Sequence, residues 1–525
     1  MTRSPRTAIG AGRRRLVAGM ALAGLGLAAC SAPGVRESSP SPPPRGALDR
    51  AEVLWLERVG FGIDSAELAA YEQLGRARFL DEQLKGGDAP LPAPIAVQVQ
   101  GLEISHLDLR ETLVGLERER RAIRFMPSEA AREAARKGLN QQGNELAYQA
   151  VRRELLRAIY SPAQLEEQMV WFWLNHFSVH EYKGDLRWLV ADYEERAIRP
   201  LALGRFRDLV LATLEHPAML EYLDNRQNAV RHANENYARE LMELHTLGVD
   251  GGYTQQDVQA LARVLTGVGI NTGPPPRLRP QWRALYVRRG VFEFNPARHD
   301  FAPKVLLGHR PRGRGFAEVE NAVTLIVREK ACARFISREL ATYFVADAPP
   351  PALVDAMAQT FERTDGDIAA VLRTMLLSTA LDQALGTKFK DPMRYVVSAV
   401  RLAYDGRPIS NTRPMVRWLH ALGEAPFERQ TPDGYPLTES SWASPGQMSR
   451  RFEIARAIGR GNDHLFDSED PRVASSSGFP QLSSRLYFDT VEPFLDARTR
   501  AALARADSPQ EWNTFLLASP ELNYE

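Results

Sequence analysis

Cysteine is scarce in this sequence: 525 residues hold only Cys30 and Cys332. With one thiol at each of two remote places, no internal disulfide framework is expected. Cys332 lies in Ala331-Cys-Ala-Arg-Phe-Ile336, where it reads as a small buried hydrophobe. Long apolar runs are missing too. The apolar run Leu16–Ala29 is shorter than the roughly 20 residues a bilayer-spanning helix needs. There is no phosphate loop, no dinucleotide fingerprint and no serine nucleophile elbow, which removes the commonest nucleotide and acyl-transfer signatures. No internal repeat stands out, and the net charge does not suggest a nucleic-acid binder; Arg277, Arg279, Arg283, Arg288 and Arg289 make one segment basic, which reads as a solvated face.

The N-terminus has the grammar of an export signal. Five arginines and no acid precede Cys30, and the apolar run Leu16–Ala29 ends Leu27-Ala-Ala-Cys30. Small residues before a cysteine resemble the lipobox of bacterial lipoproteins, which implies cleavage at residue 29 and acylation of Cys30. Arg13-Arg14-Arg15-Leu16-Val17 also resembles a twin-arginine signal. Loss of the leader takes the formal net charge from +1, by five arginines, to −4. The stretch Ser38-Ser-Pro-Ser-Pro-Pro-Pro44 fixes φ at many positions and offers nothing to a core, so residues 30–46 read as a lipidated tether. The expected location is the cell envelope, with the membrane as partner through the anchor.

From residue 47 to 525 the dominant period is helical. The reading is a mainly α fold: one large multi-helix globular body with a small inserted β-sheet or hairpin at about 270–310. Helices are expected at 162–182, 190–199, 205–213, 234–247 and 255–267, and again across 316–345, 350–362, 365–378 and 390–404. The Arg/Glu-rich stretch 110–160 reads as solvated helix faces. Leu285–Phe294 and Lys304–Gly308 read as short strands.

Polar residues are densest in Asn234-Glu-Asn-Tyr-Ala-Arg-Glu-Leu-Met-Glu-Leu-His-Thr-Leu-Gly248. Asn234 suits an N-cap and Gly248 a C-terminal left-handed position. Asn236, Glu240 and Glu243 share one face, and two carboxylates a turn apart can divide acid and base roles or hold a metal. Alternatively, Glu235, Arg239 and Glu243 form an ion-pair ladder with no function. His245 points away from Glu240 and needs another partner. Thr254–Asp257 has the form of a capping box. Upstream, His176 and His180 have the i, i+4 spacing of zinc ligands, but Phe177 stands where zinc peptidases carry glutamate. A divalent metal is therefore one option for this site, without assigned ligands.

Several segments together resemble a bacterial family known as domain of unknown function 1800. They are Arg58–Gly62, Trp173–Phe177, Tyr222–Asn225 with Asn228, Asn234–Gly248, Tyr253-Thr254 with Asp257, Leu265–Gly267, Phe292–Phe294 with His299-Asp300, Lys304 and Leu307-Gly308, and Pro432–Pro436 with Trp442, Ser444–Gly446 and Arg451. The resemblance implies a predominantly helical, often exported protein, often encoded beside a second exported family similar to sulfatases and phosphatases. His180 lies outside the matching pattern.

Taken with the resemblance, the polar motif residues suggest one shared site. Glu240, Glu243, His176 and His299 are the candidate catalytic groups, expected to line one cavity with Asn236. Asn175, Asp224, Asn225, Asn236, Arg239, His245, Asp300 and Lys304 are the candidate substrate-binding groups. The expected function is an envelope enzyme doing acid/base or metal-assisted hydrolysis or lyase chemistry on an envelope or extracellular polymer. The alternative is a non-catalytic ligand-binding or assembly lipoprotein working with an exported partner.

Overall fold

Helix starts in this chain are written by short polar side chains. Asp49 accepts from the Glu52 amide at 2.8 Å while Glu52 returns the favour to the Asp49 amide, a reciprocal capping box that opens Arg50–Val59. Asp64, Asp108, Ser128, Asp367 and Asp391 cap later helices in the same way, each accepting from a backbone amide three residues on. The expected box at Thr254–Asp257 forms and starts Gln255–Val264.

The computed structural model describes residues 48–525 except 88, 470–474 and 477. The signal, Cys30 and the tether lie outside the described residues. Ala47–Glu525 clusters as one compact unit. It is 60% helical, and its one sheet has three antiparallel strands. No helix of the described residues is long and apolar enough to cross a membrane.

Helices adjacent along the chain pack on one another: Lys330–Phe344 on Pro351–Arg363, that helix on Ile368–Leu376, and Asn236–Glu243 on Gln255–Val264. A long-range pair, Pro445–Gly459 with Pro509–Leu517, closes the C-terminal end. Their inward stripes merge into one continuous core that includes Trp55, Trp173, Tyr237 and Cys332, the last fully buried and unpaired as a thiol partner. Burial also pushes the Cys332 thiol far above its ordinary range, so it is inert.

The inserted sheet is smaller than the sequence suggests. Strand β1, Val268–Ile270, and strand β2, Val287–Arg289, both pair with β3, Phe292–Phe294. All three β3 residues are buried, so the Phe-Glu-Phe run is a two-sided core strand. Lys304–Gly308 is not a strand; only an isolated bridge joins Leu306 and His309. Leu307 instead adopts φ +51° and its amide donates to Asp257. Nor is 110–160 simply a pair of solvated faces. Glu129–Tyr160 is exposed over its first half, but from Gly143 it enters the core and buries Arg153 and Glu154. The segment read as helix 190–199 is a short α turn, then a π-helical turn at Tyr193–Ile198, then a 3-10 turn.

Candidate functional site

Helix Asn236–Glu243 is shorter than the 234–247 expected, and both of its ends depart from the simple caps. Asn234 is not the N-cap. Glu235 occupies that place with helical dihedrals and no side-chain cap bond. Asn234 instead accepts from the Asn236 amide at 2.9 Å, donates its own amide to Asn228 at 3.0 Å and donates its Nδ2 to the Asp224 carbonyl at 3.1 Å. Asn228 in turn donates to Asn225 Oδ1 and to the Ala262 carbonyl, both at 3.0 Å. Asn225 reaches the Val268 carbonyl at 3.3 Å, and Asn236 reaches that of Leu223 at 3.2 Å. Four asparagines thus sew strand β1, the 222–228 turn and the helix start together. An amide side chain both donates and accepts, which is why asparagine suits every node.

At the other end the helix unwinds early. The Leu244 and His245 amides both use the Glu240 carbonyl, at 2.9 and 3.1 Å, and Leu247 bonds back five residues to Met242. This swings His245 into the interior, where His176 donates from Nε2 to the His245 carbonyl at 3.0 Å. Trp173, Phe177, Phe206 and Phe335 surround the pair. Burial lowers the pKa of His176 to about 4 and that of His245 to about 3, with His176 adding to the latter. Gly248 closes the turn at φ +81°, with the Phe335 ring lying where a side chain would start.

His176 is the last residue of its helix, Gln164–His176. His180 lies beyond it and packs on Tyr182, so the zinc-ligand spacing seen in the sequence is not realised on one helix face. Among the described residues no three His, Cys, Asp or Glu side chains are grouped to hold a metal ion. Asn175, on the same helix end, clamps the 432–436 loop: its Oδ1 accepts from the Tyr435 amide at 2.5 Å and its Nδ2 donates to the Tyr435 carbonyl at 3.0 Å.

That clamp sets Asp433 near the outer face of Asn236–Glu243. Asp433 is held by Arg429 at 2.9 Å. Glu240 is half-buried, and its carboxylate takes no hydrogen bond and no ion pair from any described residue. Its pKa is raised, first by burial, then by Glu243 one turn away and by Asp433 across the gap; Arg239 opposes the rise. Arg239 itself pairs with Glu235 at 3.3 Å and Gln255 at 2.8 Å, so the ion-pair ladder stops short of Glu243. Tyr222 completes this face. Its hydroxyl donates to the Gln430 carbonyl at 2.9 Å, and burial, with Asp433 and Glu240, pushes the phenol up to about 12. The Lys183 ammonium sits 5.5 Å over the Tyr222 ring and binds Asp224 at 2.9 Å. From there an open cleft continues over Glu221, Asp224, Arg226, His232 and Asn234.

His299 belongs elsewhere. Beside the sheet, its Nδ1 donates to the Thr266 carbonyl at 2.7 Å and its Nε2 meets Glu318 at 2.9 Å. Lys304 binds Glu318 at 2.9 Å and also the Asp300 carbonyl. Asp300 pairs with Arg263 at 2.7 Å. The expectation of one cavity lined by His176, Asn236, Glu240 and His299 is therefore corrected. These side chains fall into separate hydrogen-bonded groups, because each histidine finds acceptors within its own element cluster. What the fold does bring together is Glu240, Glu243, Asp433 and Tyr222, with Lys183 and Asp224 alongside. Tyr222 and Asp433 lie inside motif segments, a signal the polar-residue reading passed over. Glu318 carried no sequence signal at all.

A largely helical body with a polar cleft at the Asn-Glu-Asn-Tyr helix is what the fold and motifs define. Residues 54–524 match the family described as a protein of unknown function, DUF1800, and the chain belongs to that family. No curated protein and no solved structure matches it.

Proposed function

We propose that this chain is an exported, lipid-anchored envelope protein that performs acid/base hydrolysis or lyase chemistry on an envelope or extracellular polymer, with Glu240 as the proton-transferring carboxyl. One observation carries the reading: Glu240 is a half-buried carboxylate without a partner, raised in pKa, facing Tyr222 and Asp433. A carboxyl that titrates closer to neutrality is suited to general acid or base work, and a structural glutamate would have been given an arginine. Asp433, held by Arg429 at 2.9 Å, would orient water beside Glu240. Lys183 and Asp224 line the adjoining cleft, where a polymer could lie.

The test is turnover by the purified chain of peptidoglycan and acidic and neutral polysaccharides, read as new reducing ends or unsaturated products. Activity in wild type that falls by about a hundredfold in Glu240→Gln supports the reading, the usual scale for losing an acid/base group. Activity retained in Glu240→Gln overturns it. A second reading, a non-catalytic binding lipoprotein, draws on the satisfied state of His176, His299, Asn225 and Lys304, which are occupied by their own chain. Binding of a polymer without any turnover, equal in wild type and Glu240→Gln, would establish that second reading.

A further inference from the structure

A second feature lies apart from the Glu240 cleft and shares no lining residue with it. Between the Glu129–Tyr160 helix, the 99–112 segment and the 187–196 turns is a cavity of about 150 Å³. One part of its wall is apolar, from Val99, Ile104, Leu107, Leu146 and Trp188. The other part carries four guanidinium groups, Arg153, Arg157, Arg187 and Arg196, against two carboxylates, Asp192 and Glu195.

The pairing of these charges is uneven. Glu195 takes Arg157 in a two-point contact at 2.6 and 3.1 Å. Asp192 takes Arg196 at 2.8 Å and also His216 at 3.0 Å. Arg153 donates to the Ala191 carbonyl at 2.6 Å, but its nearest carboxylates, Glu194 and Glu195, stand off at 3.4 Å. Arg187 forms no ion pair with any described residue; it donates to the amide oxygens of Asn144 at 2.6 Å and Asn140 at 3.3 Å and lies 5.8 Å over the Tyr182 ring. The Nε atoms of Arg153 and Arg187 are buried and meet no acceptor. Behind the wall, Arg199 lies against Glu154, Glu167 and Glu194, and Arg153 and Arg157 also reach Glu194. Arg187 is the one lining guanidinium without a carboxylate partner among the described residues. Glu195 and Arg196 also belong to the π-helical turn, a distortion that costs backbone regularity and is often kept where a wall must be shaped for a ligand.

We infer that this cavity binds a small organic carboxylate, a single anionic group on a compact apolar body. A cavity of about 150 Å³ with apolar walls is large enough for a benzene ring. Arg187, with Arg153, would receive the anion through charge-assisted hydrogen bonds, and the Leu/Ile/Trp wall would cover the body.

The experiment is titration calorimetry of the full chain in detergent with benzoate, benzyl alcohol and inorganic phosphate at fixed ionic strength. Benzoate should bind with one site, and benzyl alcohol and phosphate each about tenfold or more weaker, because each lacks one half of the match. Arg187→Gln, which keeps the hydrogen bonds to the asparagines within reach, should weaken benzoate by about tenfold or more. Thr112→Phe, at a half-buried rim position, should fill the cavity and abolish binding; it decides the matter if Arg187→Gln does not fold. No heat with benzoate, or equal benzoate binding by wild type and both variants, overturns the inference. Phosphate binding as tightly as benzoate also overturns it, leaving a site for inorganic anions.

Discussion

His176 donates from its ring Nε2 to the main-chain carbonyl of His245, 3.0 Å away, and the two imidazoles lie 6.0 Å apart within a shell of aromatic rings. The pair locks the end of one motif helix against the end of another. Burial holds both rings neutral well into the acid range, with pKa values of about 4 and 3. An unfolded chain would protonate both near 6.5, so below that pH the unfolded state binds protons that the native state refuses. The pair's contribution is complete above about pH 6.5 and is lost as pH falls through 4. His245→Phe removes one titration, and its Nε2 has no acceptor to forfeit. The expected result is a melting temperature that falls less steeply from pH 6.5 to 4 in His245→Phe than in wild type. Parallel curves would show that the histidines do not carry the acid sensitivity.

Asn175 is expected to act as the latch of the 432–436 loop. Asn175→Ala removes two hydrogen bonds to Tyr435, and buried groups left unpaired cost about 1–3 kcal/mol. Gly434→Ala should cost a comparable amount by another route: Gly434 sits at φ +70° with the Asn175 main chain pressed against it. Both variants should show faster hydrogen exchange at residues 432–436, with helix Asn236–Glu243 unaffected. Unchanged exchange in both would remove the latch.

Glu318 should behave as a structural counter-charge. It faces His299 and Lys304, whose side chains are fully buried, and these two bring its pKa below the ordinary value despite its own partial burial. Glu318→Gln leaves the Lys304 ammonium in the interior without a counter-charge, at a cost of about 3 kcal/mol. A depressed carboxyl pKa gives stability that is present above about pH 4.5 and lost as pH falls. The gap between wild type and Glu318→Gln in urea midpoint should therefore be widest near neutrality and shrink toward pH 4. A gap that grows in acid would contradict the assignment.

Cys30→Ser tests the proposed anchor. Acyl chains contribute roughly 0.8 kcal/mol per buried methylene, so losing them should move the protein from the membrane pellet to the soluble fraction of lysed cells. Retention in the pellet equal to wild type would rule out lipidation as the anchor.

The helical architecture is legible along the chain because helix period and capping are local. Asp49 with Glu52, and Thr254 with Asp257, announce helices through contacts three residues apart. The Asn234–Gly248 segment was correctly singled out as a polar helix, but its ends were not, since Asn234 serves Asn228 and Asp224 rather than the helix, and His245 is drawn inward by His176. Those partners are six to sixty-nine residues away and leave no periodic trace. Lys304–Gly308 has strand-forming residues, yet Leu307 takes φ +51° and gives its amide to Asp257, which breaks the extended run.

By itself the sequence determined the family, the mainly helical class and which segments carry polar motifs, because composition, period and motif identity are properties of neighbouring residues. Only the tertiary structure decided how those motifs divide. It tied His299 to Glu318, and Asn175 to Tyr435, 260 positions along the chain. It left Glu240 without a partner beside Tyr222 and Asp433, and it left Arg187 unmatched at a cavity of its own. Which buried polar group is satisfied and which remains available depends on where remote elements dock, and that is set by packing the whole core at once.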